Sequence, residues 1–486
     1  MSVKRHTSYN IAGAIIPTVA TLATVPTYLL LIGEDRYGVL IVLWTLLGYF
    51  GLFDLGLGRA VTHRVAAFKD RTALEREEVF WTAILLNLGL GCIGAVVLWI
   101  SATFILGRFA DVSGGLFGEV YAALPWIVLA LPLLLVFSVM SAALMGREEF
   151  LAQNVVGIGT GLLIQVFPLV VAIHVGPALL GLVLAVLGAR VLGGVALFGL
   201  CVRQFPVSLR PKISRSHVRP LFVFGGWVTV TSIVGPLLST LDRVVIGAVA
   251  GAKAVTYYTV PFSLVSRISI LPSSLSSALF PRFSSQDESD REDLFKVSLD
   301  ILIVTVTPLV VVGMLVMEPF LLWWLGSAFA VRAAPVGEIL VIGVWANCFA
   351  TLPFSVLQGQ GRPDLVAKIH FAELLPYLVL LWVALQWKGA VGAAVAWTLR
   401  VWVDMALLFW ASHVRSVRPF IAGFALVAVA AAVTASTSGA AWQGLALRAF
   451  VVTFAFVWAW WVSPPTLKDS ALYLVRRLTG TVKFPG

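Results

Sequence analysis

Apolar residues run in blocks of about 20 or more, separated by short stretches carrying Gly, Pro, Lys, Arg, Asp or Glu. At ~1.5 Å per residue such a block crosses a hydrocarbon core of ~30 Å, and no block shows the alternation of a membrane barrel strand. The pattern predicts about fourteen transmembrane helices, beginning near Tyr9, Tyr37, Val79, Leu116, Leu151, Pro177, Leu221, Val255, Leu294, Pro335, Leu365, Gly389, Phe420 and Trp442. Glu318 to Ala334 ("EPFLLWWLGSAFAVRAA") reads as an interfacial segment anchored by Trp323 and Trp324. The first span follows Lys4 and Arg5 but no small-residue cleavage site precedes the second, so it is expected to be retained.

Composition agrees. Of 486 residues 59% are hydrophobic and 12% charged, too few charges to cover a soluble surface. The formal charge of +10 is explained by topology. With the N-terminus inside, 24 of the 34 Lys and Arg fall on the cytoplasmic side. The outer loops hold only Arg36, Arg108, Lys253, Arg332 and Lys388, so both termini are expected in the cytoplasm and the basic excess faces lipid headgroups rather than nucleic acid. Cys92, Cys201 and Cys348 are isolated and read as packing residues, with no disulfide framework or metal site implied.

The two halves repeat at an offset of roughly 210 to 215 residues. "LMGREEFLA" (Leu144 to Ala152) corresponds to "LQGQGRPDLVA" (Leu357 to Ala367), and "RVLGGVALF" from Arg190 to "RVWVDMALLF" from Arg400. Six spans separate equivalent points, so the copies share one orientation, as in transporters whose two bundles rock about a central site. The fold expected is an all-α polytopic membrane protein with two parallel-repeat six-helix lobes: residues 1–203 as N-lobe, 204–219 as cytoplasmic linker and 220–415 as C-lobe. Two appended helices (416–463) and a cytoplasmic tail (464–486) follow.

Three stretches carry a resemblance: "YGVLIVLWTLLGYFGLFDLGLGRAVTHRVA" (Tyr37 to Ala66), "LDRVVIGAVAGAKAVTYYTV" (Leu241 to Val260) and "LQGQGRPDLVA". They resemble the polysaccharide transporter family, the Wzx-type oligosaccharide flippases, of the multidrug/oligosaccharidyl-lipid/polysaccharide flippase superfamily. The resemblance implies alternating-access transfer of an undecaprenyl-type, polyprenyl-pyrophosphate-linked glycan to the outer leaflet of the bacterial cytoplasmic membrane, for O-antigen, capsule or exopolysaccharide. Polysaccharide polymerase or glycosyltransferases would be partners. It implies no cofactor and no catalytic residue. On the same fold, an ion-coupled exporter of drugs or a flippase for the peptidoglycan lipid precursor are the alternatives.

A pyrophosphate crossing hydrocarbon needs cations in a wet cavity, and Arg offers several donors with a permanent charge. Arg190, Arg243, Arg267 and Arg400 are the substrate-binding candidates, with Arg267 placed on a polar face with Ser263, Ser266 and Ser269. Arg190 and Arg400 occupy equivalent places mid-span. Asp404 lies one turn after Arg400, a spacing that permits an ion pair, and Glu373, with His370 one turn before it, is a candidate for ion coupling together with Asp404. Asp242 and Arg243 are adjacent, so their side chains diverge by ~100° and each needs another partner. Asp54, in "FDLGLGR", shares a helix face with Gly51 and Gly58. With Asp242 it is read as a gate or interlobe contact. Arg448 reads as a lipid-interface anchor. Tyr28, Tyr49, Trp227 and Tyr257 are the aromatics worth considering for sugar stacking. The mid-span charges are weighted to Arg, which favours an anionic cargo, and no nucleotide-binding loop is present in the sequence.

Overall fold

The computed structural model describes residues 3–50, 58, 61–62, 65, 73–113, 116–147, 149–204, 241–285, 288–360, 362–413, 418–436, 442–465 and 468. Within them the protein is all α-helix apart from short turns. The helices are α1 (Val3–Phe50), α2 (Ala73–Ser113), α3 (Leu116–Gly146), α4 (Phe150–His174), α5 (Leu179–Gln204) and α6 (Ala252–Val265). After a 3-10 turn (Ser266–Ser269) come α7 (Ile270–Ser285), α8 (Glu288–Leu325), α9 (Ser327–Gly359), α10 (Pro363–Ser412), α11 (Arg418–Ser436) and α12 (Trp442–Val462). Eight helices among the described residues are long and apolar enough to cross a membrane. The expected linker (204–219) falls almost wholly outside the described residues, as do Asp54 and Trp227.

Helix is forced here because hydrocarbon offers no partner for backbone N–H and C=O groups, which must pair within the segment. Breaks occur where glycine supplies a conformation that other residues avoid. α1 is two helices joined at Gly33 (φ 77°), and α10 is two joined at Lys388 and Gly389 (φ 55°). A third break corrects the sequence reading. Glu318 to Ala334 is not a separate segment: α8 runs through Trp323 and Trp324 to Leu325, Gly326 (φ 83°) turns the chain, and α9 starts at Ser327. A single glycine suffices for a tight helix-helix connection, so the tryptophans belong to the end of a span.

The chain divides into two compact units, Met1–Thr256 and Tyr257–Gly486. In the first, α2 packs on α3, α4 on α5, α3 on α5 and α1 on α4. Near the ends of α2 and α3, Phe80, Ala83, Val139, Ala143 and Leu144 form a closed core with Val61 and Val65. In the second, α9 packs between α8 and α10, while α11 and α12 lie on α8. Its centre is the fully buried Trp345, whose indole N–H donates to Thr307 Oγ1 at 3.1 Å and whose ring contacts Phe349, Trp402 and Phe424. Large apolar side chains such as Leu30, Val175 and Trp461 face outward, as suits a lipid solvent.

The turn at Gly33 ties one end of the first unit together. Arg36 makes a two-pronged ion pair with Glu119 of α3 (Nη2 to Oε1 2.6 Å, Nε to Oε2 3.1 Å), and Glu119 Oε2 also accepts the N–H of Leu179 at the start of α5 (2.9 Å). On the same turn, Thr256 Oγ1 donates to the Glu34 carbonyl at 2.8 Å, and Lys253 lies 3.3 Å from Asp35. Gly38 lets the two segments meet: a Cβ there would overlap the Ala252 carbonyl oxygen. Gly38→Val is therefore expected to lower stability by about 1–3 kcal/mol through overpacking, read as a lower melting temperature in detergent. Gly157→Ala, whose added methyl meets nothing within 4 Å, should melt no lower than the wild type, since Ala favours a helix interior over Gly.

Candidate functional site

Hydrocarbon rejects charge, so each ionisable group inside a span must be paired, wetted or functional. The two arginines at equivalent places in the repeat differ in this respect.

Arg400, on the second half of α10, is neutralised. Its Nε donates to Glu373 Oε2 at 3.1 Å, from the first half of the same folded-back helix, and the two side chains are 11% and 5% exposed. The expected Arg400–Asp404 pair is not what forms. Asp404 instead faces His370, with Nε2 3.2 Å from Oδ1, and these side chains are 13% and 7% exposed. The kink at Lys388 and Gly389 lays the two halves side by side, so cross-helix partners win over neighbours one turn away. Glu373 Oε1 and Asp404 Oδ1 are buried without a hydrogen bond, the His370 contact to Oδ1 being close but off the hydrogen-bond axis. Phe354 of α9 stacks on the imidazole at 6.3 Å between ring centres.

Arg190, on α5, has no such neutraliser. Its Nε is buried without a hydrogen bond, and among the described residues no carboxylate pairs with it. The sequence explains the difference: α4 and α5 contain no Asp or Glu, and Gly194 stands where Asp404 stands in the second copy. Arg190 lines a cavity of about 20 Å³ bounded by Leu40 and Trp44 of α1, Trp126 and Ala130 of α3, and Val186 of α5. That volume admits about one water molecule. A fixed cation is thus held against apolar and indole surface, and the cavity must widen before the guanidinium can meet a larger anion.

The remaining candidates are placed as follows. Asp242 is fully buried, its Oδ1 accepting the backbone N–H of Arg243 at 2.7 Å, and Arg243 is partly buried. Arg267 sits exposed in the 3-10 turn between α6 and α7. The serines near it do not form a free polar face, since Ser263 and Ser266 hydroxyls donate to the Val260 and Ser263 carbonyls. Tyr28 is packed rather than open: it is 1% exposed, its hydroxyl donating to the Gln165 carbonyl at 2.8 Å. Tyr257 is likewise buried and accepts a hydrogen bond from Arg332 Nη1 at 2.8 Å. Tyr49 has no described side chain. Cys92 faces outward instead of packing, whereas Cys201 and Cys348 are buried.

Arg448 is not a lipid-interface anchor. It is 6% exposed, its Nη2 donating to Glu318 Oε2 at 2.8 Å and its Nη1 to the Leu315 carbonyl at 3.3 Å, which fastens α12 to α8. The Arg36–Glu119 and Arg448–Glu318 pairs escaped sequence reasoning because their partners lie 83 and 130 positions apart. The available signal was a carboxylate at or near a span end in each case, Glu119 and Glu318.

Comparison with known proteins places this arrangement. The family model described as "Polysaccharide biosynthesis protein" matches residues 3–286, and the MatE model matches residues 228–383. A Shigella flexneri protein named "Putative O-antigen transporter" is 29% identical over 416 residues, covering 84% of this chain and 97% of that protein. Among solved structures, the lipid II flippase MurJ in an inward closed conformation aligns with a TM-score of 0.68 at 12% identity, over 93% of this chain and 97% of MurJ. An inward-facing multidrug resistance transporter of the MATE family aligns at 0.61 and 14% identity, over 90% and 97% of the two chains. At these identities the likeness to the solved structures is one of fold, and it bears out the reading as an all-α, multi-pass membrane protein. With more than half of its length matched by the family model, the chain belongs to the polysaccharide biosynthesis protein family.

Proposed function

We propose that this protein is a flippase that carries a polyprenyl-pyrophosphate-linked oligosaccharide from the inner to the outer leaflet of the bacterial cytoplasmic membrane by alternating access. The observation that carries the reading is Arg190, whose Nε is buried in an apolar cavity of the first unit with no carboxylate partner among the described residues. A permanent positive charge held in this way lowers its energy by meeting an anion, and the pyrophosphate of a lipid-linked glycan is the anion that family membership points to. Arg243 and Arg267 remain substrate contacts in this proposal, while Arg400, held by Glu373, acts indirectly. Asp242 and Asp54 are assigned to gating. Both termini are proposed to be cytoplasmic, from the distribution of Lys and Arg, and the glycan would pass on to polymerase or glycosyltransferases.

A second reading, an ion-coupled small-molecule exporter, is favoured by the MatE match and by the two carboxylates of α10. Deletion separates the two. Loss of the flippase should leave an intact, cytoplasm-facing lipid-linked oligosaccharide accumulating in the membrane. Unchanged oligosaccharide with altered drug sensitivity would give the exporter reading the field, and an accumulated peptidoglycan precursor would redirect the cargo.

A further inference from the structure

The four ionisable groups buried in α10 do not balance. Arg400 supplies one permanent positive charge, Glu373 and Asp404 supply two carboxylates, and His370 is cationic only when protonated. With His370 neutral and both carboxylates ionised, the cluster holds one uncompensated negative charge inside a membrane span, a state that burial strongly disfavours. Adding one proton restores neutrality, whether it sits on His370 to pair with Asp404 or on a carboxylate. The unbonded oxygens tell the same story, since Glu373 Oε1 and Asp404 Oδ1 are both buried acceptors lacking a donor.

We propose that His370, Glu373, Arg400 and Asp404 form a site that binds and releases a single proton, and that this exchange drives the second unit through its transport cycle. The proton belongs to the cluster rather than to one residue, because the groups are coupled. The charged groups acting on Glu373 are Asp404, Arg400 and His370, all on α10. α9 brings Phe354 against His370, and its only charged residues, Arg332 and Glu338, lie at least sixteen positions along the helix, ~24 Å away. The contacts of α10 with α6, α8 and α11 through Phe262, Phe295 and Phe424 are between aromatic rings. The repeat sharpens the assignment. Because Gly194 replaces Asp404 and α4 has no acid, the first copy keeps a cation with no carboxylate partner among the described residues, and the second keeps a cation already answered plus one exchangeable proton. Cargo binding and energy coupling are thereby divided between copies of one ancestral element.

The proposal rests on the transporter reading for what the proton drives, and its test separates the two. Infrared difference spectra of the full-length protein in nanodiscs, titrated across about pH 5 to 8, should show a protonation change in carboxylic acid or imidazolium bands. Those bands should vanish in the Glu373→Gln/Asp404→Asn variant. His370→Gln, which leaves the Arg400 ion pair in place, should shift the titration without unfolding the protein. In cells making the wild type, a protonophore should cause the lipid-linked oligosaccharide to accumulate facing the cytoplasm. Unchanged spectra across the range, bands that persist in both variants, or spectra that respond to sodium at fixed pH would overturn the proton site. Flipping that continues under the protonophore would refute the coupling while leaving the flippase intact, whereas a deletion strain without accumulation would refute the flippase itself.

Discussion

Arg190→Ala is expected to stop translocation while leaving the protein folded and at its normal level in the membrane. The guanidinium has no carboxylate partner among the described residues, so its removal takes away a desolvated charge and breaks no ion pair. Melting in detergent should therefore be unchanged or higher than wild type. Function should move the other way. A charge-assisted hydrogen bond to phosphate contributes about 1.5–3 kcal/mol, or roughly 10- to 100-fold in affinity. Arg190→Lys keeps the charge but loses the planar fork, and should retain part of the activity. The measurement is the amount of cytoplasm-facing lipid-linked oligosaccharide in a strain carrying each variant as its only copy. Normal surface polysaccharide from Arg190→Ala at normal expression would remove Arg190 from the site.

The largest loss of stability is expected at Arg448→Ala. Breaking one partner of a buried pair costs about 3–5 kcal/mol, and since the Glu318 side chain is 34% exposed this case belongs near the lower end. The Leu315 carbonyl loses a donor as well. Because α12 is held to α8 at this point, the effect should appear as a lower melting temperature and as protease sensitivity between α11 and α12. A double variant, Arg448→Met with Glu318→Gln, should recover most of the loss, since neither charge is then left behind. Wild-type melting of the single variant would return Arg448 to the role of an interface anchor.

Much of this was legible in the chain. Apolar blocks bounded by glycine and charge predicted the helices, and the turn at Gly389 fell where a span was expected to begin. The mid-span arginines were visible as exceptions to an apolar pattern. Their partners were not, for a geometric reason. Periodicity along one helix suggested Arg400 with Asp404, but folding at Lys388 and Gly389 set Glu373, 27 positions away, opposite the guanidinium. The same holds for Glu318 and Arg448, which only tertiary packing brings together. A lone glycine at Gly326 was too weak a signal to reveal that one span ends and the next begins beside two tryptophans. The serines near Arg267 looked like a cavity wall, yet a hydroxyl on a helix bonds its own backbone as readily as a ligand.

The central claim, that this protein moves a lipid-linked glycan across a bilayer, is tested most directly by reconstitution. The purified protein would be placed in vesicles containing a polyprenyl-pyrophosphate-linked oligosaccharide, and the fraction of glycan open to an external glycosidase followed with time. Vesicles with the wild type should expose the inner pool to the enzyme, and vesicles with Arg190→Ala should keep it protected as protein-free vesicles do. An inner pool that stays protected in the presence of folded wild-type protein and an imposed proton gradient of either sign would contradict the account.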